Sequence, residues 1–391
     1  MEGSASINRK LLLLASLATV LYLALRKSPQ KVKVVVSSRS NKLVRSGLKK
    51  ISPEAYYVPY LFKHSYAQLL LFMLQSHIQN EIEPSFRESV MVSDSGDHVL
   101  LDWFLPANYN DTTPIVVYIP GITGTLREAF GFTKEIIAKG WVGVVFHRRG
   151  HEANLRCPSF NIFGNARDLR IAIECIHASS SKSPIFLVGS SAGSAVMVRY
   201  LGEFKDKPIV QAAVGLSPGY DIENMWNRIH GSFFDRYLAK QLKKFFIQSN
   251  ETILSSRNRA TVERLYAAQT VEEFAKLACN FASETSELNY EEWLKITCPL
   301  RVAHNISTPC LCLNALDDPI CHRDMVMQIG YSLPHENLNC ALIITENGSH
   351  CSHQYWSEDL QIKNWGHHVA LQFFDGILEH LQEGQEDENE Q

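Results

Sequence analysis

The sequence predicts an α/β fold in which helices cover both faces of a mostly parallel β-sheet. Short apolar runs rich in β-forming residues begin near residue 88, and longer stretches with helical spacing separate most of the later runs. Strands that alternate with helices are typical of a parallel sheet that is buried on both sides. The eight predicted strands are Ser89–Val92, Val99–Phe104, Ile115–Ile119, Val142–Phe146, Ile185–Val188, Val210–Leu216, Cys310–Leu313 and Cys340–Ile344.

Length and composition agree with a large α/β domain that carries insertions. The chain has 391 residues, of which 45% are hydrophobic and 20% charged. These proportions exclude a wholly disordered, collagenous or coiled-coil protein. The net charge of −3 gives no reason to expect nucleic acid as a partner. No obligate protein partner is evident either.

The nine cysteines are too sparse for a disulfide scaffold, and their number is odd. A zinc site could be drawn from Cys310 and Cys312 together with Cys321, His322 and the run His350–His353, but the usual finger spacings are absent. Buried free thiols explain the cysteines better. We therefore expect no metal and no cofactor.

Leu11–Leu25 contains no charged residue and has basic residues on both sides. It is shorter than the roughly 20 residues of an ordinary membrane span, but flanking Lys and Arg side chains can extend its reach. The alternative is a cleaved signal peptide, which Arg26 and Lys27 argue against because they stand where small residues would be needed. The run predicts a single-pass N-terminal anchor in the endoplasmic reticulum or plasma membrane.

Charge patterning suggests how that anchor would be oriented. Residues 1–50 contain eleven Lys and Arg against one acid, and most of these basic residues follow the apolar run. The positive-inside tendency therefore places the rest of the chain on the cytosolic side.

Changes in composition divide the chain into five parts. Residues 220–297 are rich in Lys and Glu, have helical spacing and contain no strong strand signal, so they predict a helical cap inserted between two sheet strands. The predicted parts are the anchor (1–27), a basic linker with an interfacial helix (28–85), the α/β core (86–219 and 298–382), the cap (220–297) and an acidic disordered tail (383–391).

The run Gly189–Gly193 reads Gly-Ser-Ser-Ala-Gly, a G-x-S-x-G pattern with Ser191 in its centre. An apolar strand precedes it and a helical stretch follows it. A strand that turns sharply into a helix exposes the central hydroxyl, and flanking glycines allow the chain to pass close by. Ser191 is therefore the candidate nucleophile.

A serine hydroxyl needs a base to remove its proton and an acid to orient that base. In this architecture the acid follows a late strand and the histidine follows the last strand. Asp317 and Asp318 come after the strand Cys310–Leu313, and His350 comes after Cys340–Ile344. The residues alone leave the choice between the two carboxylates open, and His353 is an alternative base.

An acyl-transfer site also needs two donors for the oxyanion. The first is the backbone N–H of Ala192, directly after the nucleophile. The second is expected in the glycine-containing run Pro120–Gly124, where the N–H of Ile122 is the candidate.

These motifs together resemble those of the α/β-hydrolase-domain (ABHD) membrane lipases of the AB hydrolase 4 family. The resemblance covers residues 60 to 380 and implies the α/β-hydrolase fold, with the second carboxylate of the Asp-Asp-Pro segment, Asp318, as the acid. The matching segments are Gly121–Gly124, His147–Gly150, Asn165–Arg170, Gly189–Gly193, residues 269–293, Asn314–Pro319 and Gly348–His350.

The resemblance further implies a membrane-anchored hydrolase of acylglycerols or phospholipids that needs no cofactor. We thus expect a serine carboxylic-ester hydrolase of the lipase type, with lipid esters and a membrane as its partners. Two alternatives are an acyltransferase on the same fold and a catalytically weak, lipid-binding membrane scaffold. This chain departs from the family pattern at Pro120, at Ala192–Ser194 and at Ser349–Ser352, which affects the expected acyl pocket.

Overall fold

A computed structural model describes residues 12–20, 22, 26–53, 56–60, 63–78, 81–206, 208–357 and 361–389. Its centre is a nine-stranded sheet in the order β2-β11-β10-β9-β8-β6-β7-β5-β4. In chain order the strands are β1 (Lys27–Pro29), β2 (Val32–Val35), β3 (Tyr57–Pro59), β4 (Phe86–Met91), β5 (His98–Phe104), β6 (Ile115–Ile119), β7 (Val142–His147), β8 (Ile185–Ser190), β9 (Val210–Leu216), β10 (Cys310–Ala315), β11 (Cys340–Thr345), β12 (Gln354–Trp356) and β13 (Ile362–Asn364).

The middle of this sheet is parallel and its edges are antiparallel. Six strands run parallel to one another, in the order β7, β6, β8, β9, β10 and β11. At one edge β5 is antiparallel to β7 and β4 is antiparallel to β5, and at the other edge β2 is antiparallel to β11. Strands β1 with β3, and β12 with β13, form two small separate sheets.

The sequence predicts eight strands in this sheet, and the structure has nine. All eight predicted strands are present. The additional strand is β2, which lies within the segment expected to be a linker. Its four residues carry only a short local signal, and the strand exists because residues 32–35 pair with β11, more than 300 residues later. A short edge strand of this kind depends on a tertiary partner that the local pattern does not reveal.

Helices lie on both faces of the sheet, as predicted, and the two faces have separate apolar cores. Along β6, Ile115, Val117 and Ile119 join one core, whereas Val116 and Tyr118 join the other. In chain order the helices are α1 (Lys42–Lys50), α2 (Ser65–Ile78), α3 (Leu126–Ala138), α4 (Ala166–Ser179), α5 (Ala192–Glu203), α6 (Ile222–Ile229), α7 (Phe233–Leu242), α8 (Glu251–Ala267), α9 (Val271–Ala278), α10 (Tyr290–Thr297), α11 (Arg323–Met325), α12 (Tyr331–Glu336) and α13 (Trp365–Asn389).

Helices α4 and α5 pack on the first face, and α1, α3 and α13 pack on the second. Between β9 and β10 the chain forms α6 to α10 with a π-helical turn at Lys243–Gln248, and residues 217–309, all of them described, contain no strand. The residues 220–297, predicted to form a cap, lie within this helical segment. Helix α13 continues to Asn389, into the stretch that the sequence predicts to be a disordered tail.

The predicted N-terminal anchor is wrong. Within the described ranges, no helix is both long enough and apolar enough to cross a membrane. A helix needs about 20 predominantly apolar residues to cross a hydrocarbon core about 30 Å thick, and the predicted run Leu11–Leu25 has fifteen. Residues 11, 21 and 23–25 of the predicted run lie outside the described residues. The predicted cytosolic orientation assumed this anchor, so it is not supported either.

Candidate active site

Ser191 occupies the sharp turn between β8 and α5. Its backbone has φ 50° and ψ −116°, a left-handed conformation that a non-glycine residue adopts at a cost. A Cβ on Gly189 would lie 2.6 Å from Ser194 Cα, and a Cβ on Gly193 would lie 1.9 Å from the carbonyl oxygen of Ile119. Both glycines of the motif are therefore needed because the chain passes too close for any side chain.

A continuous hydrogen-bond chain links Ser191, His350 and Asp318. The Ser191 Oγ lies 2.7 Å from His350 Nε2, and His350 Nδ1 lies 2.8 Å from Asp318 Oδ2. The other carboxylate oxygen of Asp318 accepts the N–H groups of Ile320 and Cys321, at 2.7 and 2.8 Å. The carboxylate is thus held in place, and it in turn fixes the orientation of the imidazole ring.

Burial and mutual attraction set the charge states of this pair. Burial by itself would raise the pKa of Asp318, but the nearby His350 and the two backbone N–H groups hold that pKa below its ordinary value. Burial would lower the pKa of His350, but the Asp318 carboxylate raises it well above its ordinary value. Asp318 is therefore ionised at neutral pH and stabilises a proton on His350.

The structure separates the candidates that the residues alone left open. Asp317 Oδ1 accepts the backbone N–H of Ser349 at 2.8 Å, so Asp317 holds the loop before His350 rather than the imidazole. His353 Nε2 lies 3.3 Å from Thr345 Oγ1. Asp318 and His350 are therefore the acid and the histidine whose hydrogen bonds lead to Ser191.

Both candidate oxyanion donors belong to the wall of the cavity that contains Ser191. Ala192 begins α5, where the first backbone N–H groups of a helix have no partner within the helix. Ala192 and Ile122 are buried and line the same cavity as Ser191 and His350.

Sequence reasoning missed the side chains that shape the loop around Ile122. The buried guanidinium of Arg148 donates to the carbonyl oxygens of Pro120 at 2.6 Å and Gly121 at 3.0 Å. Glu128 Oε1 accepts the N–H of Gly121 at 3.3 Å. These bonds involve the carbonyls of Pro120 and Gly121 and the N–H of Gly121, and the N–H of Ile122 takes part in none of them. The signal that could have found Arg148 is the basic pair that directly follows β7.

The site opens into a cavity of about 550 Å³ with a mainly apolar wall. A volume of this size lies within the usual range for small-molecule sites. The apolar side chains come from α2, from the cap and from the core: Leu69, Phe72, Met73, Ile122, Phe163, Ala195, Met225, Trp226, Phe234, Leu238, Phe245, Val271 and Ile320.

The cysteines are free, and all except Cys175 are buried. Cys310 and Cys312 lie in β10, whereas His322 is partly exposed at the start of α11. Among the described residues, one group of His, Cys, Asp or Glu side chains is close enough together to hold a metal ion, and it consists of Asp318, Cys321 and His350.

The chain matches a family model and several curated relatives. A family model described as serine aminopeptidase, S33 (Hydrolase_4) matches residues 110–354. Phospholipase ABHD3 of Bos taurus is 26% identical over 328 residues, which cover 79% of this chain and 76% of that protein. Protein ABHD15 of Homo sapiens is 26% identical over 311 residues, which cover 75% of this chain and 63% of that protein. Monoacylglycerol lipase of Saccharomyces cerevisiae is 24% identical over 269 residues, covering 66% of this chain and 58% of that protein.

The match therefore spans less than two thirds of the length of ABHD15 and of the yeast lipase. Among solved structures, 2,6-dihydroxy-pseudo-oxynicotine hydrolase aligns with a TM-score of 0.48 at 13% identity, over 86% of this chain and 80% of that one.

Proposed function

Since the chain belongs to the Hydrolase_4 family and is a serine hydrolase of the ABHD type, we propose that it is a carboxylic-ester hydrolase that cleaves acylglycerols or phospholipids. One observation carries the proposal: the hydrogen-bond chain from Asp318 through His350 to Ser191 ends at the wall of an apolar cavity. A nucleophile beside an apolar cavity suits an ester with a long acyl chain.

In this mechanism Ser191 attacks the ester carbonyl while His350 Nε2 takes its proton. Asp318 stabilises the resulting imidazolium. The backbone N–H groups of Ala192 and Ile122 donate to the developing oxyanion. The tetrahedral intermediate collapses when His350 protonates the departing alcohol, and an acyl-serine remains. Water, deprotonated by His350, then releases the fatty acid and restores Ser191.

The cavity wall supports a lipid acyl chain as the group that is bound. Aromatic and aliphatic side chains from α2 and the cap surround Ser191, and burying each methylene contributes about 0.8 kcal/mol. The names of two relatives, phospholipase ABHD3 and monoacylglycerol lipase, support the same substrate class. No cofactor is required for this chemistry.

The test measures fatty acid released from monoacylglycerol and from phosphatidylcholine, both in mixed micelles. We expect release by the wild-type protein and a loss of about 10³-fold or more in Ser191→Ala. A serine-directed fluorophosphonate should label the wild-type protein but not this variant. Ser194→Ala is the matched control. Ser194 lies on α5, three residues after Ser191, and its hydroxyl donates to the carbonyl oxygen of Gly189.

Two outcomes count against the proposal. Hydrolysis that persists in Ser191→Ala rules out Ser191 as the nucleophile. Fluorophosphonate labelling without release from either lipid leaves the nucleophile in place but rejects lipid esters as substrates.

A further inference from the structure

The thiol of Cys321 lies beside the proposed base and acid. One carboxylate oxygen of Asp318, the Sγ of Cys321 and one ring nitrogen of His350 all lie within 4.8 Å of one another. All three residues are buried. The thiol contacts the His350 ring, and its Sγ also lies 3.2 Å from the carbonyl oxygen of Ser217. The proposed mechanism gives this thiol no task.

The three side chains are ligand types that zinc prefers. Zinc binds thiolate sulfur at about 2.3 Å and imidazole nitrogen or carboxylate oxygen at about 2.0–2.2 Å, which places neighbouring ligand atoms about 3.4–3.7 Å apart. Asp318 Oδ2 and His350 Nδ1 are now 2.8 Å apart and need to separate by under about 1 Å. Asp318 Oδ1 would keep its two backbone N–H bonds, which hold the carboxylate in place as a ligand.

We propose that Asp318, Cys321 and His350 form an inhibitory Zn²⁺ site within the active site. Zinc occupies the space between the carboxylate, the thiolate and His350 Nδ1, and water completes the tetrahedron. The inhibition rests on the proposed hydrolase function, whereas binding of the ion does not.

The tautomer of the imidazole explains why zinc inhibits. With zinc on Nδ1, the one proton of the neutral ring sits on Nε2, the nitrogen that faces Ser191. That nitrogen then has no lone pair to accept the serine proton. A second proton cannot be added to the ring while the metal holds Nδ1. Asp318, now a metal ligand, no longer stabilises an imidazolium.

When the His350 ring is neutral, its Nδ1 proton moves to Nε2 and binding releases one proton, from the Cys321 thiol to solvent; when the ring is an imidazolium, it releases its second proton as well. Burial and the neighbouring Asp318 carboxylate raise the pKa of that thiol to about 12. The metal therefore competes with a tightly held proton, and zinc affinity should rise with pH.

The first experiment titrates the wild-type protein with Zn²⁺ while a soluble short-chain ester is hydrolysed. We expect inhibition that EDTA reverses. Cys321→Ser should raise the half-inhibitory Zn²⁺ concentration at least about tenfold. The matched control is Cys157→Ser, because Cys157 is also a buried thiol that bonds a carboxylate, at 2.9 Å from Asp97 Oδ2. Zinc should inhibit this control as it does the wild-type protein. Equal half-inhibitory concentrations for Cys321→Ser and the wild type overturn the site.

The second experiment does not depend on activity. Co²⁺ replaces Zn²⁺ in such sites, and a thiolate ligand gives it a near-ultraviolet charge-transfer band. The band should appear with the wild-type protein and with Ser191→Ala, and should be absent from Cys321→Ser and Cys321→Ala. Near-ultraviolet circular dichroism checks that the Cys321 variants are folded, and a band that persists in either folded variant overturns the assignment of Cys321. If Co²⁺ gives the band but no ester is hydrolysed, the metal site stands and the proposed function fails.

Discussion

Ser191, Asp318 and His350 each follow a different strand of the parallel part of the sheet. Ser191 follows β8, Asp318 follows β10 and His350 follows β11, and the sheet order places these strands near one another. Parallel strands end at the same edge of a sheet, so their following turns converge there. Ser191 and His350, 159 residues apart, thus come within 2.7 Å of each other, and Asp318 and His350, 32 residues apart, come within 2.8 Å.

The two adjacent carboxylates should differ sharply in their effect on activity. Asp318→Asn should lower kcat by about 10³–10⁴-fold, because a neutral amide no longer stabilises the His350 imidazolium. Asp317→Asn keeps an oxygen that can accept the Ser349 N–H and should cost much less. Both variants are assayed on one soluble ester. Equal losses would contradict the assignment of the acid.

The pH dependence of the reaction should identify the base. Below its pKa His350 carries a second proton and cannot accept the proton of Ser191, so kcat/KM should fall as the pH falls through that pKa. Because Asp318 raises the pKa of His350, the acid limb should lie above the ordinary histidine value of about 6.5. Burial lowers the pKa of the alternative, His353, to about 4. A midpoint near pH 4 would therefore point to His353.

Arg148 should affect catalysis through the loop Pro120–Gly124, because it donates hydrogen bonds to two carbonyl oxygens of that loop. Arg148→Met removes the donors to the Pro120 and Gly121 carbonyls, so the loop that carries the proposed oxyanion donor, the N–H of Ile122, is no longer held by these bonds. We expect kcat to fall by about tenfold or more with a smaller change in KM, and Arg148→Lys to restore part of the loss.

The control is Arg167→Met, because Arg167 is an exposed arginine on α4. A rise in KM with unchanged kcat in Arg148→Met would indicate a binding effect rather than a positioning effect.

At the scale of elements, α2 stands out because both of its sides are apolar. Leu69, Phe72 and Met73 line the cavity. Tyr66, Leu70 and Leu74 are exposed to solvent. Because they are spaced four residues apart, their side chains form one apolar stripe along the helix. Tyr66 also stacks on Phe234 of the cap, with ring centroids 5.6 Å apart. Helix α2 therefore joins the cavity wall to an exposed apolar surface.

A charge on that stripe should impair hydrolysis of aggregated lipids selectively. Leu70→Glu should lower the rate on long-chain esters in micelles several-fold, because an apolar surface beside the cavity then carries a charge. The rate on a soluble short-chain ester should change little. Met91→Glu, a similarly exposed apolar position on β4, is the control. Equal losses on both substrates would show that Leu70 supports the fold rather than lipid entry.

At the scale of the whole molecule, two apolar cores hold the sheet between its helix layers. The core that faces α1, α3 and α13 contains Phe186 of β8 and Phe374 of α13, which stack with ring centroids 4.5 Å apart. Since β8 leads directly into Ser191, packing on this side of the sheet supports the site on the other.

Removing one ring from this core should destabilise the whole fold. Phe374→Ala should lower the free energy of unfolding by about 3–5 kcal/mol, because it leaves a cavity at a fully buried position. Phe233→Ala is the comparison, since Phe233 is 69% exposed on the cap. Urea unfolding followed by circular dichroism measures both. Similar losses from the two substitutions would contradict the account of this core.

Local sequence patterns were sufficient to predict the strands of the parallel core and the turn that carries Ser191. Apolar runs of four to seven residues between helical stretches predicted every strand of the parallel core, for example Ile115–Ile119 and Val210–Leu216. The Gly-Ser-Ser-Ala-Gly motif located the turn at Ser191, because backbone atoms lie so close to Gly189 and Gly193 that no side chain fits there. The order of motifs along the chain also predicted His350 beside Ser191.

Local hydropathy was misleading at the N-terminus, where an apolar run shorter than a membrane span suggested an anchor. Residue patterns alone left the choice between Asp317 and Asp318 open, and the family resemblance favoured Asp318. The tertiary structure places Asp318 and not Asp317 against His350, because neighbouring residues in a turn point in different directions. It also decided the ninth strand, the clamp of Arg148 on the oxyanion loop and the position of Cys321 against the imidazole. Each of these depends on contacts between residues distant in the chain, and such contacts exist only once the order of the strands has brought their turns together.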